Sequence, residues 1–186
     1  MLKINFREDA WLMFCMHITT QRLYITEFDE GMATQLHLNS LDDDIRRFVP
    51  DEVFETVDIA RDKIAWFICS YTQDNAPLVH PVLLHNGRQI GYVQACPLKK
   101  GWEIGYHIAK EFTGNGYATE ALCAFLPPVM AKLGISRIYG ICRADNLASR
   151  RVLDKCGFQL EFERKQKYHG KRRLVRQYQL TATEER

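Results

Sequence analysis

Two hydrophobic periods divide the chain into short strands and helices. Residues 22–28, RLYITEF, alternate apolar and polar and predict a first strand. Residues 30–38 place Met32, Leu36 and Leu38 at helical spacing and predict a short helix. Residues 40–55 show no period; they carry Asp42, Asp43, Asp44, Asp51, Glu52 and Glu55 and read as an acidic loop. Thr56 is placed to cap a helix over 57–71, whose apolar face is Ile59, Ile64, Phe67 and Ile68. Alternating runs at 79–85 and 89–95 flank Asn86-Gly87, a strong short-range hairpin signal. In Trp102–Ile108, Ile104, Tyr106 and Ile108 alternate with Glu103, Gly105 and His107, predicting a central strand. A loop holding Gly114 and Gly116 follows, then a helical pattern of Ala118, Ala121, Leu122 and Phe125. Pro127-Pro128 interrupts it. Proline inside a helix costs about 3 kcal/mol, so a kink or break is expected near Leu126, with Val129–Leu133 as a last, skewed turn. A strand over 135–142, a helix over 146–156 ended by Gly157, and two strands (158–167 and 172–180) around His169-Gly170 complete the pattern, with 181–186 as a frayed tail. The order β–α–α–β–β–β–α–β–α–β–β predicts an α+β sheet with helices on both faces.

Length and composition narrow the class. The chain of 186 residues fits one domain, its 46% hydrophobic and 26% charged content is that of a globular protein, and its net charge of +2 gives no argument for nucleic acid. No apolar run reaches membrane length. The first residues contain Arg7, Glu8 and Asp9 and lack the apolar centre of a signal peptide, so 1–15 read as an extension, with Met16 as an alternative start, ahead of one domain over 16–186. The six cysteines form no C-x-x-C pair and have no histidines at zinc-ligand spacing, so no metal is expected. Cys69, Cys96 and Cys123 lie in apolar surroundings and are expected to be buried. A reduced, cytoplasmic setting follows as the expectation.

Strand, glycine loop and helix start together make a recipe for holding phosphate. Glycines let the backbone approach an anion, and the free N–H groups of the first helical turn point at it. A tight turn alone would explain the same glycines. Dinucleotide binding fits poorly, because the sixth place counted from Gly114 is Thr119 and the next strand ends in Arg143 rather than an acid.

Thr113-Gly114-Asn115-Gly116-Tyr117-Ala118, followed by Thr119-Glu120-Ala121, resembles the acetyl-CoA loop of the GNAT superfamily of N-acetyltransferases, in particular its RimJ/RimL branch. A second block, Asp145-Asn146-Leu147-Ala148-Ser149 with Gly157-Phe158, is similar to the same branch, as are Thr20-Gln21-Arg22-Leu23 and Glu103-Ile104-Gly105-Tyr106. The resemblance spans residues 17–181. It implies the GNAT fold: a mixed, mostly antiparallel sheet of six to seven strands, splayed between the fourth and fifth. It implies acetyl-CoA as co-substrate. The pyrophosphate would lie on Thr113, Gly114, Asn115, Gly116, Tyr117, Ala118 and Thr119, and the pantetheine arm along the backbone of Tyr106, His107 and Ile108. Asn146 would bond the pantetheine amides, and Arg151, with Arg150 and Lys155 as alternatives, would meet the 3′-phosphate. The resemblance further implies Ser149 as proton donor to the leaving thiolate, since the tyrosine many members carry seven residues after the asparagine is Leu153 here. Glu103 is the first candidate for the base that deprotonates the amine, with His107 and Cys142 behind it. An acidic role before Tyr168 does not transfer, because Lys167 stands there. Glu111 and Thr113 also depart from the family pattern at the loop entrance.

The expected activity is acetyl transfer to a primary amine, either a protein N-terminal α-amine or a small molecule; the acidic run Asp42–Asp44 would attract a cation. Two alternatives stay open. One is a CoA-binding module without turnover. The other is an RNA- or ribosome-associated protein using Arg164, Lys165, Lys167, Lys171, Arg172 and Arg173 of the last hairpin, although nucleic acid is disfavoured against a merely solvated hairpin. A homodimer is left open.

Overall fold

The computed structural model describes residues 16–182, and the readings of 1–15 and 183–186 lie outside the described residues. Eight strands form one sheet in the order β1-β2-β3-β4-β5-β6-β8-β7. They are β1 (Ile18–Thr19), β2 (Leu23–Ile25), β3 (Leu78–Leu84), β4 (Gln89–Pro97), β5 (Trp102–Ile108), β6 (Arg137–Arg143), β7 (Gln159–Tyr168) and β8 (Lys171–Thr181). The strand beyond the expected seven is β1, a two-residue pair with β2 at the sheet edge. Every neighbouring pair is antiparallel except β5 and β6.

Five helices cover the sheet: α1 (Ala33–Asn39), α2 (Asp43–Phe48), α3 (Val57–Ser70), α4 (Tyr117–Leu133) and α5 (Leu147–Lys155). The period-two alternation of the strands sorts their side chains onto two faces. Val82, Val93, Ala95, Ile104 and Ile108 join Ala121, Leu122, Phe125, Leu126, Val129 and Met130 of α4 in the larger core. Val79 and Tyr92 point the other way and pack with Leu36 of α1 and Ala60, Ile64 and Phe67 of α3. Among the described residues, no helix is long and apolar enough to cross a membrane.

Local chemistry explains most element ends. Thr56 accepts from the Ile59 amide and starts α3 as expected. The Asn86-Gly87 turn closes β3 on β4, with Gly87 N donating to Leu84 O at 2.9 Å. Three expectations need correction. Residues 40–55 are not simply a loop: Asp42 accepts from the Ile45 amide and starts α2, and a 3₁₀ turn, Pro50–Glu52, follows. The terminal strand runs to Thr181, and Ala182 N still donates to Ser136 O at 2.8 Å, so the described end is tied down.

The third correction concerns Pro127-Pro128, where α4 passes without a break. The missing N–H groups would have bonded the carbonyls of Cys123 and Ala124. Cys123 and Pro127 are exposed, and Ala124 and Pro128 half-buried, so the damage falls on the side of the helix away from the core. On the opposite side, six buried side chains hold the cylinder against the sheet, and their burial outweighs the local cost. Restoring the donors should therefore stabilise the fold. Pro127→Ala and Pro128→Ala are each expected to raise the unfolding free energy by about 2 kcal/mol, the lost helix penalty less the entropy that proline removes from the unfolded chain. Urea melts followed by circular dichroism measure it.

Candidate functional site

The centre of the molecule is the seam between β5 and β6. As parallel neighbours they are joined by a crossover, which is α4. They pair only at Glu103↔Tyr139 and Ile104↔Gly140. Beyond that bridge, β6 continues to pair with β8 from Ile141 to Arg143, while β5 continues with β4 as far as Ile108. The sheet is thus splayed along residues 105–108, between the fifth and sixth strands, one place later than expected because β1 adds a strand in front.

The glycine loop opens at the end of this seam. Gly114 and Gly116 have φ of 81° and 82°, the left-handed region that glycine occupies without strain. A Cβ at Gly114 would meet nothing within 4 Å, and one at Gly116 only the Arg22 guanidinium at 3.6 Å, so the loop borders open space. Gly116 offers no side-chain cap to α4. The first-turn N–H groups of Tyr117, Ala118 and Thr119 therefore head a 17-residue helix dipole at the seam. The loop is braced from behind. Asn115 Nδ2 donates to the carbonyls of Phe112 and Thr113 at 3.1 and 3.2 Å. Arg22 donates to Asn115 O at 3.0 Å, stacks on Tyr117 and pairs with Glu120 at 2.6 Å. Glu111 faces Arg88 at 2.7 Å.

Asn146 caps α5 by accepting from the Ser149 amide at 3.0 Å. Tyr106 reaches across the seam to the same turn. Its hydroxyl donates to Ser149 O at 2.8 Å and lies 2.8 Å from Ser149 Oγ. Either hydroxyl can donate in the Tyr106–Ser149 pair, and the buried Cys142 thiol is a further hydrogen-bond partner of Ser149. Burial pushes the Cys142 thiol up to about 11 and the Tyr106 phenol well above its ordinary value. Arg151 is exposed on α5, while Arg150 donates to Ala144 O at 3.1 Å.

The sheet face away from α4 is polar. On β5 it carries Glu103, Gly105 and His107, opposite Cys96, Gln94 and Tyr92 of β4. Glu52, from the 3₁₀ turn, lies over this face: it accepts from Gln94 Nε2 at 2.7 Å and from the Tyr92 hydroxyl. A Cβ at Gly105 would come 2.6 Å from Gln94 Nε2, so the glycine makes room for the side chain that holds Glu52. Glu103 therefore stands one pleat, roughly 7 Å along the strand, from the Glu52 anchor. Burial first, and the Glu52 charge second, raise the Glu103 carboxyl to about 7. Tyr168 approaches from the last hairpin and donates to Ile141 O at 3.2 Å.

The sequence-derived site residues thus fall into groups. Residues 113–119, Tyr106, Asn146 and Ser149 converge on the seam, and Glu103 lies on its polar side. His107 points away from the loop; its Nε2 is buried without a hydrogen bond, 3.6 Å from Asp42. The acidic run is largely committed elsewhere. Asp42 caps α2, and although burial opposes ionisation, His107 and the Ile45 amide hold its carboxyl below the usual range; Asp44 pairs with Lys110. The six basic residues of the last hairpin are all exposed. Two cysteine expectations fail, since Cys69 and Cys123 are exposed: Cys69 shares an exposed stretch of α3 with Trp66 and Ile68, and Cys123 lies on the side of α4 away from the buried Leu122 and Phe125. Cys96 is half-buried. Glu52, Gln94 and Tyr92 were missed, and only the run of acids around Glu52 hinted at them. Among the described residues, no group of three or more His, Cys, Asp or Glu could hold a metal.

A family model described as an acetyltransferase (GNAT) domain matches residues 22–159. A relative from Bacillus subtilis, the uncharacterized N-acetyltransferase YnaD, is 28% identical over 148 residues, covering 78% of this chain and 84% of its own. Among solved structures, RimL, a ribosomal L7/L12 alpha-N-protein acetyltransferase in complex with coenzyme A, superposes with a TM-score of 0.78 at 23% identity, covering 90% of this chain and 98% of that one. The microcin C7 self-immunity acetyltransferase MccE, in complex with acetyl-CoA and AMP, does so with a TM-score of 0.75 at 19% identity, covering 87% and 93%.

The raised Glu103 carboxyl has a consequence for stability. The folded chain binds this proton more tightly than the unfolded one, so the stabilisation is full below the unfolded value of 4.5 and is lost as pH rises through about 7. Glu103→Gln should leave the melting temperature unchanged near pH 4 and raise it at pH 8. Thermal melts across that range check the sign.

Proposed function

This chain belongs to the GNAT acetyltransferase domain family and is an acyltransferase; we propose that it moves the acetyl group of acetyl-CoA to a primary amine at the β5–β6 seam. The observation that carries this reading is the coincidence of an unpaired strand edge with an open glycine loop at a helix N-terminus. That coincidence fits the donor. The main-chain N–H groups of residues 113–119 suit a pyrophosphate, the edge of Tyr106–Ile108 that faces β6 without pairing to it suits the amides of a pantetheine arm, and Arg151 is available to a terminal phosphate. Acetyl-CoA, when bound, supplies an activated thioester.

The protein's own residues supply positioning and proton handling. Glu103, with a carboxyl near 7, is matched to removing a proton from an ammonium group at neutral pH. Glu52, held by two neutral donors, adds a negative charge that favours a cationic acceptor on the same face. Ser149 holds a proton at the seam, and Tyr106, bonded to it, orients that hydroxyl and can refill it. Asn146 keeps Ser149 in place by capping the same turn. The acceptor is a protein N-terminus or a small amine; solved neighbours of this fold include a ribosomal-protein acetyltransferase and a self-immunity acetyltransferase.

Thiol release from acetyl-CoA with a panel of N-terminal peptides, diamines and amino acids tests the activity. Absence of thiol release with every acceptor, despite CoA binding, would replace the enzyme by a binding module. Gly116→Val puts a side chain into the open loop and strains a left-handed position. CoA affinity by calorimetry should fall more than tenfold while the circular dichroism spectrum stays native. The rate should rise with pH through about 7 in the parent, because only the ionised Glu103 accepts a proton, and Glu103→Gln should flatten that limb. Ser149→Ala should lower kcat by at least tenfold with little change in CoA affinity.

A further inference from the structure

Outside the seam, two cysteines meet where α4 crosses the end of α5. Cys123 lies midway along α4 and is exposed, while Cys156 is half-buried at the C-cap of α5. Their sulfurs are 2.8 Å apart, and Cys156 Sγ also lies 3.7 Å from Thr119 O. An S–S bond needs about 2.05 Å, so the pair closes by a small shift. Neither residue has a role in the proposed acetyl transfer.

We propose that Cys123 and Cys156 are a reversible oxidation site, converted by hydroperoxides to a disulfide that ties the glycine-loop helix to the helix carrying Ser149. Cys123 is the residue an oxidant reaches. Its thiolate attacks the peroxide, the S–O bond forms as the O–O bond breaks, and water or an alcohol leaves. The Cys156 sulfur then attacks the sulfenic sulfur; the S–S bond forms, the S–O bond breaks, and hydroxide leaves with the thiol proton as water. Burial and the neighbouring sulfur hold the Cys156 thiol well above its ordinary value, so it is not the thiolate that meets the peroxide first. A thiol reductant returns both residues. In a reducing compartment such a bond is transient, as redox-sensing disulfides are. Both α4 and α5 begin at the seam, so the bond fixes the separation of its two helical walls.

The test treats the full chain with equimolar hydrogen peroxide. Two of the six thiols should disappear, peptide mapping should join Cys123 to Cys156 within one chain, and the melting temperature should rise, then return with dithiothreitol. In Cys156→Ser, dimedone should trap a sulfenic acid at Cys123. In Cys123→Ser, Cys156 should stay unmodified at the same dose. Both variants, reduced, should acetylate at the parent rate. Retention of all six thiols, a bond between other cysteines or between chains, or a Cys123–Cys156 bond that leaves the melting temperature unchanged would overturn the proposal.

Discussion

Everything at the centre of this fold depends on two parallel strands that meet for two residue pairs and then part. A parallel pair requires a crossover, and the crossover here is a helix reached from β5 through the glycine loop. The loop of left-handed glycines therefore arrives at the same end of the seam as the parting strands. Backbone groups on an interior strand edge need partners. In this seam part of that demand is met by a tyrosine hydroxyl rather than by the other strand: Tyr168 bonds Ile141 O on β6. The remaining edge of β5 is a ready acceptor and donor for an extended ligand, which is what an acyl-pantetheine arm would present.

The second constraint is the pleat. Alternation along β4 and β5 sends Val93, Ala95, Ile104 and Ile108 to α4, and Tyr92, Gln94, Glu103 and His107 to the opposite side. One strand thus presents an apolar wall to α4 and a recessed carboxyl on its other face. Glu103 is raised to about 7 because it is recessed among such groups and faces the charge of Glu52. Neutral donors hold Glu52 in place, so its charge is not cancelled where it stands. A cationic amine would relieve both carboxylates, which links the desolvation of this face to the class of acceptor proposed for it.

Where local chemistry decides structure, the chain was legible. Thr56 and Asn146 cap the helices their side chains can cap, Asn86-Gly87 turns a hairpin, and Gly114 and Gly116 take the left-handed conformation their loop needs. Where distant contacts decide, it was not. Helix α2 has six residues and one buried side chain, Ile45, too little to display a period. Glu52 joins the polar face only through Gln94 and Tyr92, some forty positions away in sequence. Cys123 has apolar neighbours along the chain, but the helix turns Leu122 and Phe125 inward and leaves the thiol outside, while around Cys69 the apolar Trp66 and Ile68 are exposed as well. The resemblance to acetyltransferases supplied the splay between strands, which no composition or period could have indicated.

The proline pair and the cysteine pair belong to one stretch of α4, and the same physics connects them. Pro127 leaves the Cys123 carbonyl without its helical donor, and Pro128 does the same to Ala124. A helix lacking two consecutive hydrogen bonds on its outer side bends most easily there. Cys123 is on that side, with its sulfur 2.8 Å from Cys156. The inner side, from Ala121 to Met130, stays packed, so the softness is confined to the surface that carries the thiol. A segment that can yield locally without unpacking the core is what closing two sulfurs from contact to bonding distance requires. The local weakness that core packing tolerates in α4 therefore lies where a reversible cross-link would use it.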